Sequence, residues 1–214
     1  MKFKGLLFDI DGTLVTTRYE HRKIVLQKTL EEYGKEIPLK EIINKFWFEG
    51  NRDEIVREIF GIDKSDFWKT YAKYDTPGFR KIFTSPFYDI EVLPDLKREG
   101  YKLGIVTSAP GEIADLEVGM IGKSLFDSVV VAHVKNGFLP KPNPEGIIKC
   151  LNCLELKNNE AIFVGNSDED IGAAKNANVF GIHLDRREYK YKNLKPGRTV
   201  YSLYSLERIL ATEF

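Results

Sequence analysis

The sequence predicts an α/β fold: a doubly wound, Rossmann-like parallel sheet with a helical domain inserted after the first strand. Three observations carry this reading. Short, continuously apolar runs recur along the chain, as expected of strands buried on both faces. Amphipathic helical patterns separate the later runs, which implies right-handed crossovers between parallel strands. Acidic, hydroxyl or lysine residues follow the ends of several runs, where open parallel sheets bind their ligands.

The first strand is read at residues 3–8 and ends in Asp9-Ile10-Asp11-Gly12-Thr13. Further strands are expected at 103–106, 128–132, 161–164 and 179–184, with a last edge strand beyond them. Between them, Ile113, Leu116, Met120 and Ile121 share a helical face, as do Ile147, Ile148, Leu151 and Leu154, and then Ile171, Ala174 and Ala177. A short capped helix closes the chain at 205–210.

Residues 16–85 break this rhythm and are expected to hold helices without a strand. Leu26, Leu30 and Tyr33 form one face that stops at Gly34, and Leu39 to Trp47 form a second helix after Pro38. Asn51 and Glu54 have the form of a capping box before Ile55, Ile59 and a stop at Gly61. Asp63 opens a fourth helix with Phe67, Trp68 and Tyr71. The expected division is a core of residues 1–15 and 86–214 and a helical insertion of residues 16–85.

Lysine plus arginine equals aspartate plus glutamate, 32 each, so the whole chain has no net attraction for nucleic acid or anionic membrane. Affinity for an anionic substrate must come from a local site. Arg186, Arg187, Tyr189, Lys190, Tyr191, Lys192, Lys195 and Arg198 interleave charge with aromatics, but at zero net charge they read as a solvated loop. No apolar stretch reaches membrane-spanning length, and Asp9 follows too soon for a signal peptide, so a cytoplasmic protein is expected. Cys150 and Cys153 read as two small buried side chains one helical turn apart.

Four strand ends carry chemistry. Asp9 and Asp11 are offset by two residues, so one carboxylate points into a site while the other stands beside it, and Gly12 allows the turn. A carboxylate nucleophile needs an electrophile whose charge is neutralised, such as a metal-bound phosphate; solvated acids in a turn are the alternative. Thr107 and Ser108 offer hydroxyls and backbone N–H groups to phosphate oxygens. Lys141, between Pro140 and Pro142, is either a fixed ammonium for transition-state charge or an exposed lysine in a stiff loop. In the run Val164 to Asp170 the three acids Asp168, Glu169 and Asp170 suit a hard cation, although acids also suit a helix N-terminus. Each group closes a parallel strand or opens the helix after it, so a doubly wound sheet gathers all four at one edge.

On these residues the chain resembles the haloacid dehalogenase (HAD) superfamily, in a phosphatase branch similar to the phosphoglycolate phosphatases, with a cap inserted after motif one. Asp9 to Thr13 match motif one, Val106-Thr107-Ser108 motif two, Lys141-Pro142 motif three and Gly165 to Asp170 motif four. The resemblance implies that Asp9 attacks phosphorus and Asp11 is the acid and then the base. It implies that Gly12, Thr107, Ser108 and Lys141 hold the phosphoryl group. It also implies that Mg2+ is bound by Asp9, the Asp11 carbonyl, Asn166 and Asp170, and that the cap closes between the half-reactions. Asn166 departs from the pattern, which usually has aspartate there. The substrate implied is a small phosphorylated metabolite, and the protein a monomer or homodimer. A phosphomutase, and a weakly active ligand-binding or regulatory relative, remain the alternatives.

Overall fold

The computed structural model describes residues 3–191 and 194–213. The chain divides into two compact units, one formed by residues up to Thr16 and from Pro86 onward, the other by Thr17–Ser85.

In chain order, β1 (Gly5–Phe8) and β2 (Val15–Thr17) precede the helical segment of α1 (Tyr19–Glu31), α2 (Lys40–Phe48), α3 (Arg52–Ile55), α4 (Lys64–Tyr74) and α5 (Pro77–Phe83). Then come β3 (Thr84–Pro86), α6 (Leu93–Arg98), β4 (Lys102–Thr107), α7 (Gly111–Ile121) and β5 (Ser128–Val131). The chain continues through α8 (Glu145–Leu154), β6 (Ala161–Gly165), α9 (Asp168–Asn176), β7 (Phe180–Leu184), β8 (Arg198–Val200) and α10 (Leu203–Glu213).

Six strands form one parallel sheet in the order β5-β4-β1-β6-β7-β8. The chain runs outward from β1 through β4 to β5, then returns to the other side of β1 for β6. The carboxyl end of β1 is therefore the switch point, where such sheets leave a crevice. Both faces are covered. Leu6, Phe8, Ile105 and Val164 pack with α7 and α10, while Leu7, Val106 and Phe163 pack with α8 and α9. This two-sided burial explains why β1 and β6 read as unbroken apolar runs.

The helical unit has its own core of Leu26, Leu30, Phe46, Phe60, Phe67 and Tyr71. The Asp63 side chain caps α4 by accepting from the amides of Ser65 and Asp66. Several expectations are corrected here. β2 and β3 pair as a separate two-stranded sheet, so strands do occur at the ends of the 16–85 segment; three residues are too few to show alternation. α5 is a fifth helix, opened by Thr76 and Pro77. The Asn51 capping box does not form: its backbone, at φ −86° and ψ 31°, leaves the side chain facing Glu54 instead of the helix amides. After Ile55 the helix widens into a π turn at Val56–Phe60, which buries Val56 and Phe60 and turns Ile59 outward.

In the core unit Cys150 is buried, whereas Cys153 is exposed, because the buried face of α8 runs through Ile147, Cys150, Leu151 and Leu154. No helix among the described residues is long and apolar enough to cross a membrane.

Candidate active site

Parallel register decides which side chains meet. Phe8 pairs with Ile105 on one side and Val164 on the other, so the residues following β1, β4 and β6 emerge together. The Asp9 amide extends the ladder by donating to the Val164 carbonyl at 3.0 Å. Beyond it the chain wraps round one carbonyl: the amides of Thr13, Leu14 and Val15 all donate to Ile10 O. Gly12 sits in this turn at φ 83°, and a Cβ there would lie 2.3 Å from Asn166 Nδ2. Both the backbone conformation and the close approach require glycine.

The structure brings Asp9, Lys141 and Asp170 into direct contact. Lys141 Nζ donates to Asp9 Oδ1 at 2.6 Å and to Asp170 Oδ1 at 2.5 Å, and all three side chains are buried. The other Asp170 oxygen accepts from the Ser167 amide and hydroxyl at 2.9 and 2.7 Å. Gly165 lets Asp170 fold back over the strand end, since a Cβ there would meet Asp170 Cγ at 2.3 Å. Lys141 itself is anchored from behind, its amide donating to Ser108 Oγ at 3.0 Å. Ser108 therefore reaches the lysine backbone. Thr107 is buried at the end of β4, its Oγ1 accepting from the Ala109 amide. Asp11 lies partly exposed just past Asp9 and bridges to Val15.

Thr13 links motif one to Asn166. Its hydroxyl lies 3.0 Å from both Asp9 Oδ2 and Asn166 Oδ1 and can donate its one hydrogen to either. His183 Nε2 lies 3.2 Å from the Asn166 carbonyl. Sequence alone assigns Thr13 no role beyond its place in motif one, and it does not mark Ser167 or His183. A hydroxyl at the end of motif one is the sequence signal for Thr13.

Charge at this cluster is unbalanced, with two buried carboxylates and one ammonium. Burial pushes the Asp9 carboxyl up to about 7; Lys141 opposes the rise and Asp170 adds to it. Burial also works against the Lys141 ammonium, but Asp170 and Asp9 outweigh it and hold the group above the usual lysine range. The surplus negative charge and the oxygen-only donors fit a hard cation such as Mg2+. Among the described residues no three His, Cys, Asp or Glu side chains form a ready metal cage. A cation would therefore draw on backbone and amide carbonyls as well as carboxylates.

One part of the basic loop is not solvated. The Arg186 side chain is 5% exposed and pairs with the fully buried Asp89. Tyr189 and Tyr191 form an edge-to-face pair, and burial pushes the Tyr191 hydroxyl far above its ordinary range. Lys192 lies outside the described residues.

Comparison with known proteins agrees across most of the chain. The family of haloacid dehalogenase-like hydrolases matches residues 6–183. The pyrophosphatase PpaX of Halalkalibacterium halodurans is 31% identical over 194 residues, covering 84% of this chain and 82% of that protein. The phosphoglycolate phosphatase of Aquifex aeolicus is 27% identical over 175 residues, 80% of each. A HAD phosphatase structure from Thermococcus onnurineus superposes with a TM-score of 0.66 at 26% identity, covering 99% of both chains.

Proposed function

The chain belongs to the haloacid dehalogenase-like hydrolase family, in its phosphatase branch, and from that premise we propose a magnesium-dependent phosphatase with an aspartyl-phosphate intermediate on Asp9. The observation that carries this reading is the buried pair of carboxylates, Asp9 and Asp170, shared by the single ammonium of Lys141. Such a cluster suits a site whose missing charge arrives with a cation and whose lysine meets a phosphoryl group.

In this reading an Asp9 oxygen attacks phosphorus, forming an acyl phosphate as the P–O bond to the leaving group, ester or anhydride, breaks. Asp11 gives its proton to the departing oxygen. It then takes a proton from water, whose oxygen attacks phosphorus and releases inorganic phosphate with the Asp9 carboxylate restored. Lys141 and Thr107 hold the equatorial phosphoryl oxygens, and Gly12 leaves room for the Asn166 side chain beside them. Asp170, with one oxygen on Lys141 and the other on Ser167, fixes the lysine as well as offering charge to the metal. Mg2+, held by Asp9, the Asp11 carbonyl, Asn166 and Asp170, would supply charge neutralisation of the phosphate oxygens. The helical unit, Thr17–Ser85, is the proposed cap and selector of substrate.

The relatives direct the substrate search to small phosphorylated metabolites, with phosphoglycolate and pyrophosphate first. The test is a phosphate-release screen with magnesium and with chelator, combined with acid quenching on a radiolabelled substrate. Magnesium-dependent release and a hydroxylamine-labile label lost in Asp9→Asn are expected. Turnover that survives chelation or the Asp9→Asn change would rule the reading out.

A further inference from the structure

We infer that Arg186 is a positioning residue for the nucleophile, acting on Asp9 through Thr13; this rests on the aspartyl-phosphate reading above. Arg186 lies just past β7, far from motif one in sequence. Its Nε and Nη2 donate to the Thr13 carbonyl at 3.1 and 2.7 Å. The side chain of Thr13 carries the hydroxyl that meets Asp9 Oδ2 and Asn166 Oδ1. One residue is thus gripped by its carbonyl and holds the nucleophile by its side chain.

The grip is itself rigid. Asp89 takes Nη1 on Oδ2 at 2.6 Å and Nη2 on Oδ1 at 3.0 Å, a fork-to-fork pair with its own directional demand. Asp89 Oδ2 also accepts from the Leu203 amide at 2.7 Å, tying the carboxylate to the start of α10. The guanidinium carbon lies 4.0 Å from the centre of the Phe87 ring. One planar group therefore makes four hydrogen bonds and a ring contact. Lysine can match the charge but cannot reproduce this fork.

A neighbouring contact strengthens the case. Thr16 Oγ1 donates to Glu188 Oε1 at 2.8 Å, so the turn after β7 holds the chain leaving motif one at two points. Arg187, the adjacent arginine, takes a different path, with its guanidinium 5.4 Å from the Tyr201 ring.

The experiment compares Arg186→Lys with Arg187→Lys, each alone and with Thr13→Val. Arg186→Lys is expected to lower kcat by about tenfold or more while KM moves by less than about threefold, the mark of lost alignment rather than lost binding. Arg187→Lys should leave both constants unchanged. In the Thr13→Val background, where the hydroxyl is gone, Arg186→Lys should cost little more, because the two substitutions break one linkage. Should Arg186→Lys melt below the assay temperature, Asp89→Asn loosens the same fork and is read the same way. An unchanged kcat, or losses that multiply independently of Thr13, would overturn the inference. Asp9→Asn, assayed alongside, separates this outcome from failure of the covalent reading, since only the latter leaves Asp9→Asn active.

Discussion

Lys141 holds Asp9 with its ammonium nitrogen 2.6 Å from Oδ1, in a site where a second buried carboxylate competes for the same cation. The contact spans 132 residues of sequence and depends on the crossover that returns the chain to β6 beside β1. Because one cation serves two anions, removing it has more consequence than removing either acid.

Lys141→Met should therefore damage both stability and catalysis. It leaves Asp9 and Asp170 side by side without compensation, and breaking a buried ion pair costs about 3–5 kcal/mol. Added magnesium should restore part of that loss by supplying charge to the same oxygens. Turnover should fall by roughly a hundredfold to a thousandfold, the range for losing one fixed donor at a developing charge. Denaturation curves with chelator and with magnesium, beside steady-state kinetics, check both halves.

Asp9→Asn should behave in the opposite way toward stability. Burial raises the folded-state carboxyl to about 7 from an ordinary 3.8. A raised folded value favours the folded state fully below the unfolded pKa, and that contribution is lost as pH climbs through the folded one. Metal-free wild-type protein should accordingly lose stability between pH 4 and 7, a window set by those two values. Asn at this position has no proton to lose, so the Asp9→Asn protein should lack that slope and melt higher than wild type at pH 8. Thermal melts in chelator across the pH range test this, with turnover abolished throughout.

Asp75, in the helical unit, carries the reverse sign. Burial alone would raise its carboxyl, but Arg80, at 2.8 Å, and His21, at 3.2 Å, outweigh burial and hold it below the ordinary range. A depressed folded value stabilises above the unfolded pKa and the benefit disappears as pH falls through the folded one. Asp75→Asn should be less stable than wild type at neutral pH, and the gap should close in strong acid. Paired melts at neutral and acid pH measure the gap; a constant difference would mean that charge plays no part.

The core was legible because its signals are local. Strand ends announce themselves when an apolar run stops at Asp9, Thr107 or Gly165, and parallel topology then brings those ends together without further information. The helical unit was legible where a glycine ends one helix and a cap residue opens the next, as Gly61 and Asp63 do. What escaped notice depends on distance or on scale. Arg186 looks like one more surface cation until Asp89 and Thr13, remote in sequence, fold against it. The π turn at Val56–Phe60 shifts a buried face by one residue, which a fixed 3.6-residue period cannot anticipate. β2 and β3 are too short to display a pattern.

Asn166 yields the sharpest prediction. In the proposed reaction, with substrate bound, Asp9, Asp170 and the phosphate are negative, while Lys141 and Mg2+ are positive. Asparagine offers that cation only a carbonyl dipole, and its Oδ1 already lies 3.0 Å from the Thr13 hydroxyl. Aspartate would bring a full charge to the same place, on an element whose Asp170 is occupied by Lys141 and Ser167. The gain is on the order of 1–3 kcal/mol, or roughly tenfold to a hundredfold in apparent magnesium affinity. Without metal the same charge is a burden, because it adds a third carboxylate to a site where burial already pushes Asp9 up. Asn166→Asp should thus reach half-maximal activity at lower magnesium, yet melt below wild type in chelator and regain the difference as magnesium is added. A magnesium titration of phosphatase activity at fixed ionic strength tests the first expectation, and melts across the same titration test the second. Equal half-saturation with equal melts would show that residue 166 does not face the metal and would remove it from the proposed ligand set.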